Sequence, residues 1–241
     1  MGAWTEGAVV VVTGAAGGVG HAVASWLADR GAQVFSLDRR RPESVVGTFV
    51  EVDVLSEASV DAAVQQVVAA AGRIDGLVAA AGLSEEPTPA EDMSLAVWSR
   101  TLGVNLTGVF LTCQRVGRVM LDQGSGRIVT VASMSGAHVV NTPQQQVAYN
   151  ASKGGLVAMT KSIAYEWAAR GVRVNALSPG YVDTPLLGSK HDLHEQWKSV
   201  TPLRRFAEPA EVAAAASWLL SDEAAFCCGT ELLMDGGYTL A

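Results

Sequence analysis

"VVVVTGAAGGVGHAVASWLA", residues 9–28, decides how the rest of the chain is read. Four valines and a threonine make an apolar, β-branched run without polar alternation, the mark of a strand buried on both faces. Gly14, Gly18 and Gly20 follow in the spacing TGxxxGxG, and a helical pattern takes over from there. Glycine allows a tight turn and close approach of a ligand, and the free N–H groups of a helix start favour a phosphate. The glycines alone would fit an ordinary structural turn. A strand before them and a helix after them predict a dinucleotide-binding βαβ unit.

The next strand, "QVFSLD", ends at Asp38, where an acid of such a unit bonds the adenosine ribose hydroxyls. Its carboxylate would repel the extra phosphate of NADP, which favours NAD. Arg39, Arg40 and Arg41 pull the other way, because a guanidinium can hold that phosphate, although a solvated arginine cluster explains them as well.

Further along, β-rich runs alternate with helical ones. "TFVEVDV" is followed by a helix from about Ser56 to Gly72, "IDGLVAAAG", a long helix from about Asp92 to Leu121, and "GRIVTVAS". Then come a helix carrying Tyr149, "VRVNALSPG", a polar segment over 183–208, a helix from Pro209 to Leu220, and "TELLMDGG". Such βαβα alternation predicts an α/β, doubly wound Rossmann fold, a mostly parallel seven-stranded sheet with helices on both faces. No linker or fixed-period repeat divides the chain, so residues 1–241 read as one domain, with a lid-like segment over about 184–208.

Bulk properties narrow the function. Of the 241 residues 49% are hydrophobic and 17% are charged, enough apolar material for a large core. A net charge of −7 and a pI near 5.1 argue against nucleic acid or an anionic membrane as the main partner. Apolar runs such as Ala8–Val12 are far too short to span a bilayer. "MGAWTEG" has no basic segment ahead of an apolar stretch, and Glu6 stands where a myristoylation signal wants Ser or Thr. A cytoplasmic protein is expected. Cys113, Cys227 and Cys228 read as packing residues, the adjacent pair being awkward for a mutual disulfide. "HDLHE" at 191–195 spaces two histidines three apart, but lacks a third ligand and the HExxH pattern, so no metal is expected.

A second stretch carries chemistry. "QQQVAYNASKGG", residues 144–155, puts Tyr149 four residues before Lys153, on one helix face. TGAAGGVG, the acid at 38, "NL" at 105–106, Ser133, "YNASK" and "NALSPG" then fall in order along the chain. In this order they resemble the short-chain dehydrogenase/reductase family over essentially the whole length. The resemblance implies that Tyr149 is the general acid/base, that Lys153 favours its phenolate and bonds the nicotinamide ribose, and that Ser133 holds the substrate oxygen. Ser135 is its rival by type, though Ser133 lies closer to the strand end. Asn105 would complete a tetrad, keeping a helix kinked around a water that relays protons to Lys153. Cofactor contacts are implied at Gly14, Gly18, Val19, Gly20, Asp38, Arg39, Asp53, Val54, Ala80, Ala81 and Gly82. They continue at Tyr149, Lys153, Pro179, Gly180, Val182 and Thr184, with Asp53 at the adenine edge and Val182 and Thr184 at the carboxamide. One departure stands out: the family usually carries Asn in "NNAG", whereas this chain has Ala79 and Ala80, which puts local rigidity in doubt.

Substrate choice belongs to the loop before Tyr149 and the segment after Thr184. "SGAHVVNTPQQQVAY" supplies Asn141 and Gln144 to Gln146, and is similar to the polyol and sugar dehydrogenase branch of the family. Amides suit a polyhydroxylated ligand, because a site built to bond hydroxyls rejects analogues lacking them. The expected substrate contacts are Ser133, Ser135, Asn141, Gln144, Tyr149, Gly180, Leu186 and Trp197, although packing is the safer reading for Trp197. The small-molecule substrate would be an alcohol/ketone pair. Reduction of a 3-oxoacyl thioester remains an alternative, helped by Lys190, Lys198, Arg204 and Arg205, as do a general secondary-alcohol or steroid dehydrogenase and, in another class, an idle dinucleotide sensor. The resemblance also implies a homo-tetramer or homo-dimer. Apolar "EVAAAASWLL" fits such an interface or a core-facing stripe.

Overall fold

The computed structural model describes residues 4–140, 142–188 and 191–240. Val9–Thr13 forms β1, and all five of its residues are buried. Val9 and Val11 enter one apolar cluster and Val10 and Val12 the other, since successive strand side chains point to opposite faces. β1 therefore serves two cores at once, which is why its sequence shows no polar alternation.

β1 lies between β2 (Gln33–Asp38) and β4 (Gly76–Ala79). Adding β3 (Thr48–Glu51), β5 (Gly126–Val131), β6 (Val172–Pro179) and β7 (Glu231–Met234) gives one seven-stranded sheet in the order β3-β2-β1-β4-β5-β6-β7. Every pairing is parallel. The winding direction reverses between β1 and β4, and the crevice at their carboxyl ends is where a ligand of such a sheet binds.

Helices cover both faces. One layer holds α2 (Glu57–Ala71), α4 (Val109–Gln123) and α5 (Val147–Trp167), which bury Val60, Val64, Val116, Met120 and Leu156. α1 (Gly18–Ala28) and α8 (Pro209–Leu220) form the other, joined through Val23, Leu27, Val212, Ala216 and Leu220. That settles the stripe "EVAAAASWLL": Val212, Ala213, Ala216, Leu219 and Leu220 face the core.

Two expectations change. The helix read from about Asp92 to Leu121 is interrupted: α3 (Leu95–Leu102) passes through a π-helical turn, Gly103–Gly108, into α4. Glycines allow the wider turn to sit close to its neighbours, since a Cβ on Gly108 would lie 2.8 Å from Cγ2 of Val54. The polar segment over 183–208 also contains helix, α6 (Pro185–Gly188) and α7 (His191–Val200).

Leu77, at the centre of β4, is fully buried. Leu77→Ala is expected to cost about 2–5 kcal/mol, read as a lower urea midpoint with little change in slope. A smaller loss would mean that this core relaxes around the gap.

Candidate active site

The glycine turn is dictated by contact. Gly14 has φ +69°, and a Cβ there would sit 2.7 Å from the carbonyl oxygen of Ala80. A Cβ on Gly20 would come within 2.2 Å of the Gly14 oxygen. Gly18 faces Thr184, whose Cγ2 would be 2.6 Å from an added Cβ, so the loop after β6 lies over the start of α1. That helix begins at Gly17 without a side-chain cap, leaving its first N–H groups for an anion.

A cleft of about 800 Å³ runs from this turn along the strand ends. The positions expected to touch the cofactor at Asp38, Arg39, Asp53, Val54, Ala80, Ala81 and Gly82 all line it, as do Pro179, Gly180, Val182 and Thr184. Asp38 accepts the Ala16 N–H at 3.0 Å through Oδ2 and the Arg40 N–H at 3.1 Å through Oδ1. The carboxylate is thereby fixed beside the turn with lone pairs to spare. Arg39 and Arg40 reach the cleft, whereas the Arg41 guanidinium stacks 5.3 Å over the ring of Phe49. A turn that excludes side chains, uncapped N–H groups and a fixed acid together fit a dinucleotide.

Where "AAAG" lacks asparagine, other bonds hold the turn. The Ala81 N–H reaches Oγ1 of Thr13 at 3.3 Å. Asn105, fully buried in the π turn, bonds both main-chain groups of Leu83 at 2.8 Å and also donates to Oγ of Ser152 at 3.0 Å. It does not line the cleft. In this structure its side chain anchors the loop after β4 to α5.

At the far end stand Ser133, Tyr149 and Lys153. Ser133 follows β5, and its Oγ accepts the Ser135 N–H at 3.2 Å, so the two candidate serines adjoin and both line the cleft. Burial raises the pKa of the Tyr149 phenol, the Ser133 hydroxyl beside it acts to lower it, and the charge of Glu85 raises it again. Lys153 donates to the Val131 carbonyl at 2.8 Å, with Nζ 5.7 Å from the Tyr149 ring centre. Burial pulls its pKa down to about 8. The chain after Ser135 packs directly on α5 at Gly136, where at φ +88° an added Cβ would meet the Asn150 carbonyl oxygen at 2.0 Å.

Around this end the glutamines divide. Gln144 is buried in the cleft wall, and its Oε1 has no hydrogen-bond partner among the described residues. Gln146 also lines the cleft and donates to Oγ of Ser84 at 2.5 Å and to the Glu85 carbonyl at 3.1 Å. Gln145 is exposed. Asn141 lies outside the described residues. Gly180 and Leu186 line the cleft, but Trp197 does not. Its indole is fully buried behind Tyr181, stacked at 4.3 Å, so the expected wall residue belongs to the packing and Tyr181 supplies the face.

Outside the cleft the basic residues weighed for an acyl carrier are engaged elsewhere. Arg205 pairs with Glu211 at 2.6 Å, Lys198 pairs with Glu195 at 3.1 Å, and Arg204 bonds the Ser199 carbonyl. Lys190 lies outside the described residues. His194 of "HDLHE" meets the Leu187 carbonyl at 3.0 Å, and among the described residues no group of three or more His, Cys, Asp or Glu could hold a metal ion. None of the described helices is long and apolar enough to cross a membrane.

A family model described as "Enoyl-(Acyl carrier protein) reductase" matches residues 14–239. D-threitol dehydrogenase of Mycolicibacterium smegmatis is 42% identical, the match covering 98% of this chain and 94% of that protein. The chain belongs to the short-chain dehydrogenase/reductase family. Cis-4-hydroxycyclohexanecarboxylate dehydrogenase of Sinomonas cyclohexanicum is 41% identical, over 96% of each chain. Among solved structures, aldohexose dehydrogenase of Thermoplasma acidophilum superimposes with a TM-score of 0.93 at 31% identity, covering 98% of this chain and 96% of that one. This short-chain dehydrogenase/reductase is an oxidoreductase acting on CH–OH donors.

Tyr181 and Ser84 also line the cleft, and the sequence had not singled them out. Tyr181 had a signal, an aromatic directly after the "SPG" turn. Ser84 had none, because its place depends on the loop that Asn105 anchors.

Lys153 makes stability depend on pH. Its folded pKa, about 8, lies below the ordinary 10.5, so between these values the unfolded chain binds more protons and stability rises with pH. In the ligand-free protein, urea midpoints are expected to rise with pH from about 8 to about 10, on the order of 1 kcal/mol per unit, relative to Lys153→Met. Above that window the raised pKa of Tyr149 acts in the opposite sense. Parallel curves for the two proteins would show that the buried ammonium carries no such penalty.

Proposed function

We propose that this enzyme interconverts a secondary hydroxyl of a polyol or sugar with the corresponding ketone, using NAD(H). The observation that carries the reading is one continuous cleft. It joins the glycine turn and Asp38 at one end to Ser133, Tyr149 and the unpartnered amide oxygen of Gln144 at the other. A nicotinamide held in this cleft would supply the hydride acceptor for the alcohol and the hydride donor for the ketone. In oxidation the Tyr149 phenolate takes the hydroxyl proton, and in reduction the phenol gives it back. Ser133 donates to the reacting oxygen. The Lys153 ammonium favours the phenolate by charge, against the burial that opposes it. Gln144 accepts from a hydroxyl next to the reacting carbon. Asp38 accepts from the adenosine ribose and repels a 2′-phosphate, which outweighs Arg39 and Arg40 in favour of NAD.

The lid over 184–208 brings Leu186 and Leu187 to the same end. With Met134 they give the pocket an apolar side, which supports a second reading: a ring-borne secondary alcohol, as in the name of the Sinomonas relative. We place the protein in the cytoplasm as a homo-tetramer or homo-dimer, a reading supported by the family habit and by the exposed rings of Tyr165 and Phe226.

Purified protein is to be offered NAD or NADP with tetritols, hexitols, glycerol, simple and cyclic secondary alcohols and a β-hydroxyacyl thioester, at the NADH absorbance band. Turnover of a polyol with NAD is expected. Activity with NADP alone would mean that the arginines outweigh Asp38, and turnover of the thioester alone would overturn the polyol reading. Tyr149→Phe is expected to lower kcat about 10²- to 10⁴-fold while leaving NADH binding intact. An active Tyr149→Phe enzyme would remove the phenol from the mechanism.

A further inference from the structure

Glu85 lies in the loop between β4 and α3, is only 6% exposed, and lines no part of the cleft. Its Oε1 accepts the main-chain N–H of Tyr149 at 2.9 Å. Tyr149 is the third residue of α5, and the cap residue of that helix, Gln146, offers no side-chain bond to the first turn. A cap side chain ordinarily satisfies the N–H at this third position. Here the acceptor comes from a distant loop instead. A carboxylate suits the place, because the positive end of the helix dipole faces it. The other oxygen, Oε2, is buried without a hydrogen-bond partner among the described residues, and no ion pair neutralises Glu85 among them.

The grip is double. Ser152 donates its hydroxyl to the Tyr149 carbonyl at 2.7 Å while accepting from Asn105 at 3.0 Å, and Asn105 bonds Leu83, two residues before Glu85. Gln146 ties the same loop through Ser84 and the Glu85 carbonyl. Both main-chain groups of Tyr149 are thus fixed, one by Glu85 and one by Ser152, and both holds lead back to Asn105.

We propose that Glu85 is a positioning residue for the reaction: its buried carboxylate clamps the first turn of α5 through the Tyr149 N–H and sets a negative charge behind the phenol. The inference rests on Tyr149 being the acid/base. The charged and titratable groups facing that phenol are Glu85 from the loop after β4, Lys153 from α5 and Tyr181 from the loop after β6, with the Ser133 hydroxyl at the end of β5. Glu85 opposes the phenolate, whereas Lys153 favours it only while protonated, below its own pKa of about 8. Glu85 therefore keeps Tyr149 protonated to higher pH than Ser133 alone would. That favours the proton donor needed for ketone reduction and moves alcohol oxidation to more alkaline conditions.

Glu85→Gln preserves shape and the amide acceptor but removes the charge. The test titrates Tyr149 in the ligand-free protein by phenolate absorbance, with Tyr149→Phe versions of each protein subtracted. The Tyr149 midpoint is expected to fall by about one unit in Glu85→Gln and to stay in place in Ser152→Ala, which loosens the other hold without touching charge. With D-threitol and NAD as probes, oxidation by Glu85→Gln at one unit below the wild-type midpoint is expected to rise about fivefold. Glu85→Asp keeps the charge but draws it back by one methylene, so its midpoint should fall between the other two, which serves if the Gln variant does not fold. A midpoint in either Glu85 variant equal to or above the wild type overturns the proposal, whatever happens to thermal stability. Loss of turnover in Tyr149→Phe alongside such unmoved midpoints would leave the acid/base reading standing without Glu85.

Discussion

The approach of Gly14 to Ala80 is the constraint on which the rest of the molecule depends. Two parallel strands from which the sheet is built out in opposite directions end side by side, and the turn leaving β1 crosses the end of β4 with no room for a methyl group. That contact fixes where α1 starts, where its uncapped N–H groups point, and where Asp38 must stand to hold the Ala16 N–H. The chemistry lies further along the same crevice, because Ser133 and Tyr149 follow the next strand outward. A side chain at position 14 would push the turn off the end of β4, and one at position 20 would push it off Gly14.

The sheet and the cleft were legible in the sequence because they rest on strong local signals. Val9–Val12 read as a two-faced strand, and the structure divides them between two cores. The glycine spacing, Asp38, and the Tyr149–Lys153 pair on one helix face all stand where those signals placed them, along a single cleft. Less was legible where a position depends on distant partners. The π turn at Gly103–Gly108 looks in sequence like the middle of one long helix, because its glycines and Asn105 acquire meaning only against Val54 and Leu83. Trp197 was open between wall and packing for a related reason: it stacks on Tyr181, and only packing decides which ring faces the pocket. Glu85 carries no local signal, because the N–H it accepts belongs to Tyr149, 64 residues further along the chain.

Electrostatics at the site run against the ionised forms. Burial drives the Tyr149 phenol up and the Lys153 ammonium down, so each group gains from company and loses from solitude. Their separation along one helix turn and the fixed Val131 carbonyl keep the ammonium close to the ring without a direct bond between them. In such an arrangement small changes in neighbouring charge shift a proton equilibrium while leaving the packing alone.

The unpartnered oxygens of Glu85 and Gln144 have a further consequence for the history such a protein can have in the laboratory. Each is a buried polar atom without compensation in the ligand-free fold, and that kind of defect typically costs about 1–3 kcal/mol. Natural folds hold a narrow margin of stability, and sites of function are where that margin is commonly spent. A population of variants screened for heat resistance alone, with no demand for turnover, would therefore collect apolar replacements at Gln144 before the packed valines and leucines of the sheet changed, whereas Glu85 is kept by the Tyr149 N–H it satisfies. The more robust descendants would be the poorer catalysts.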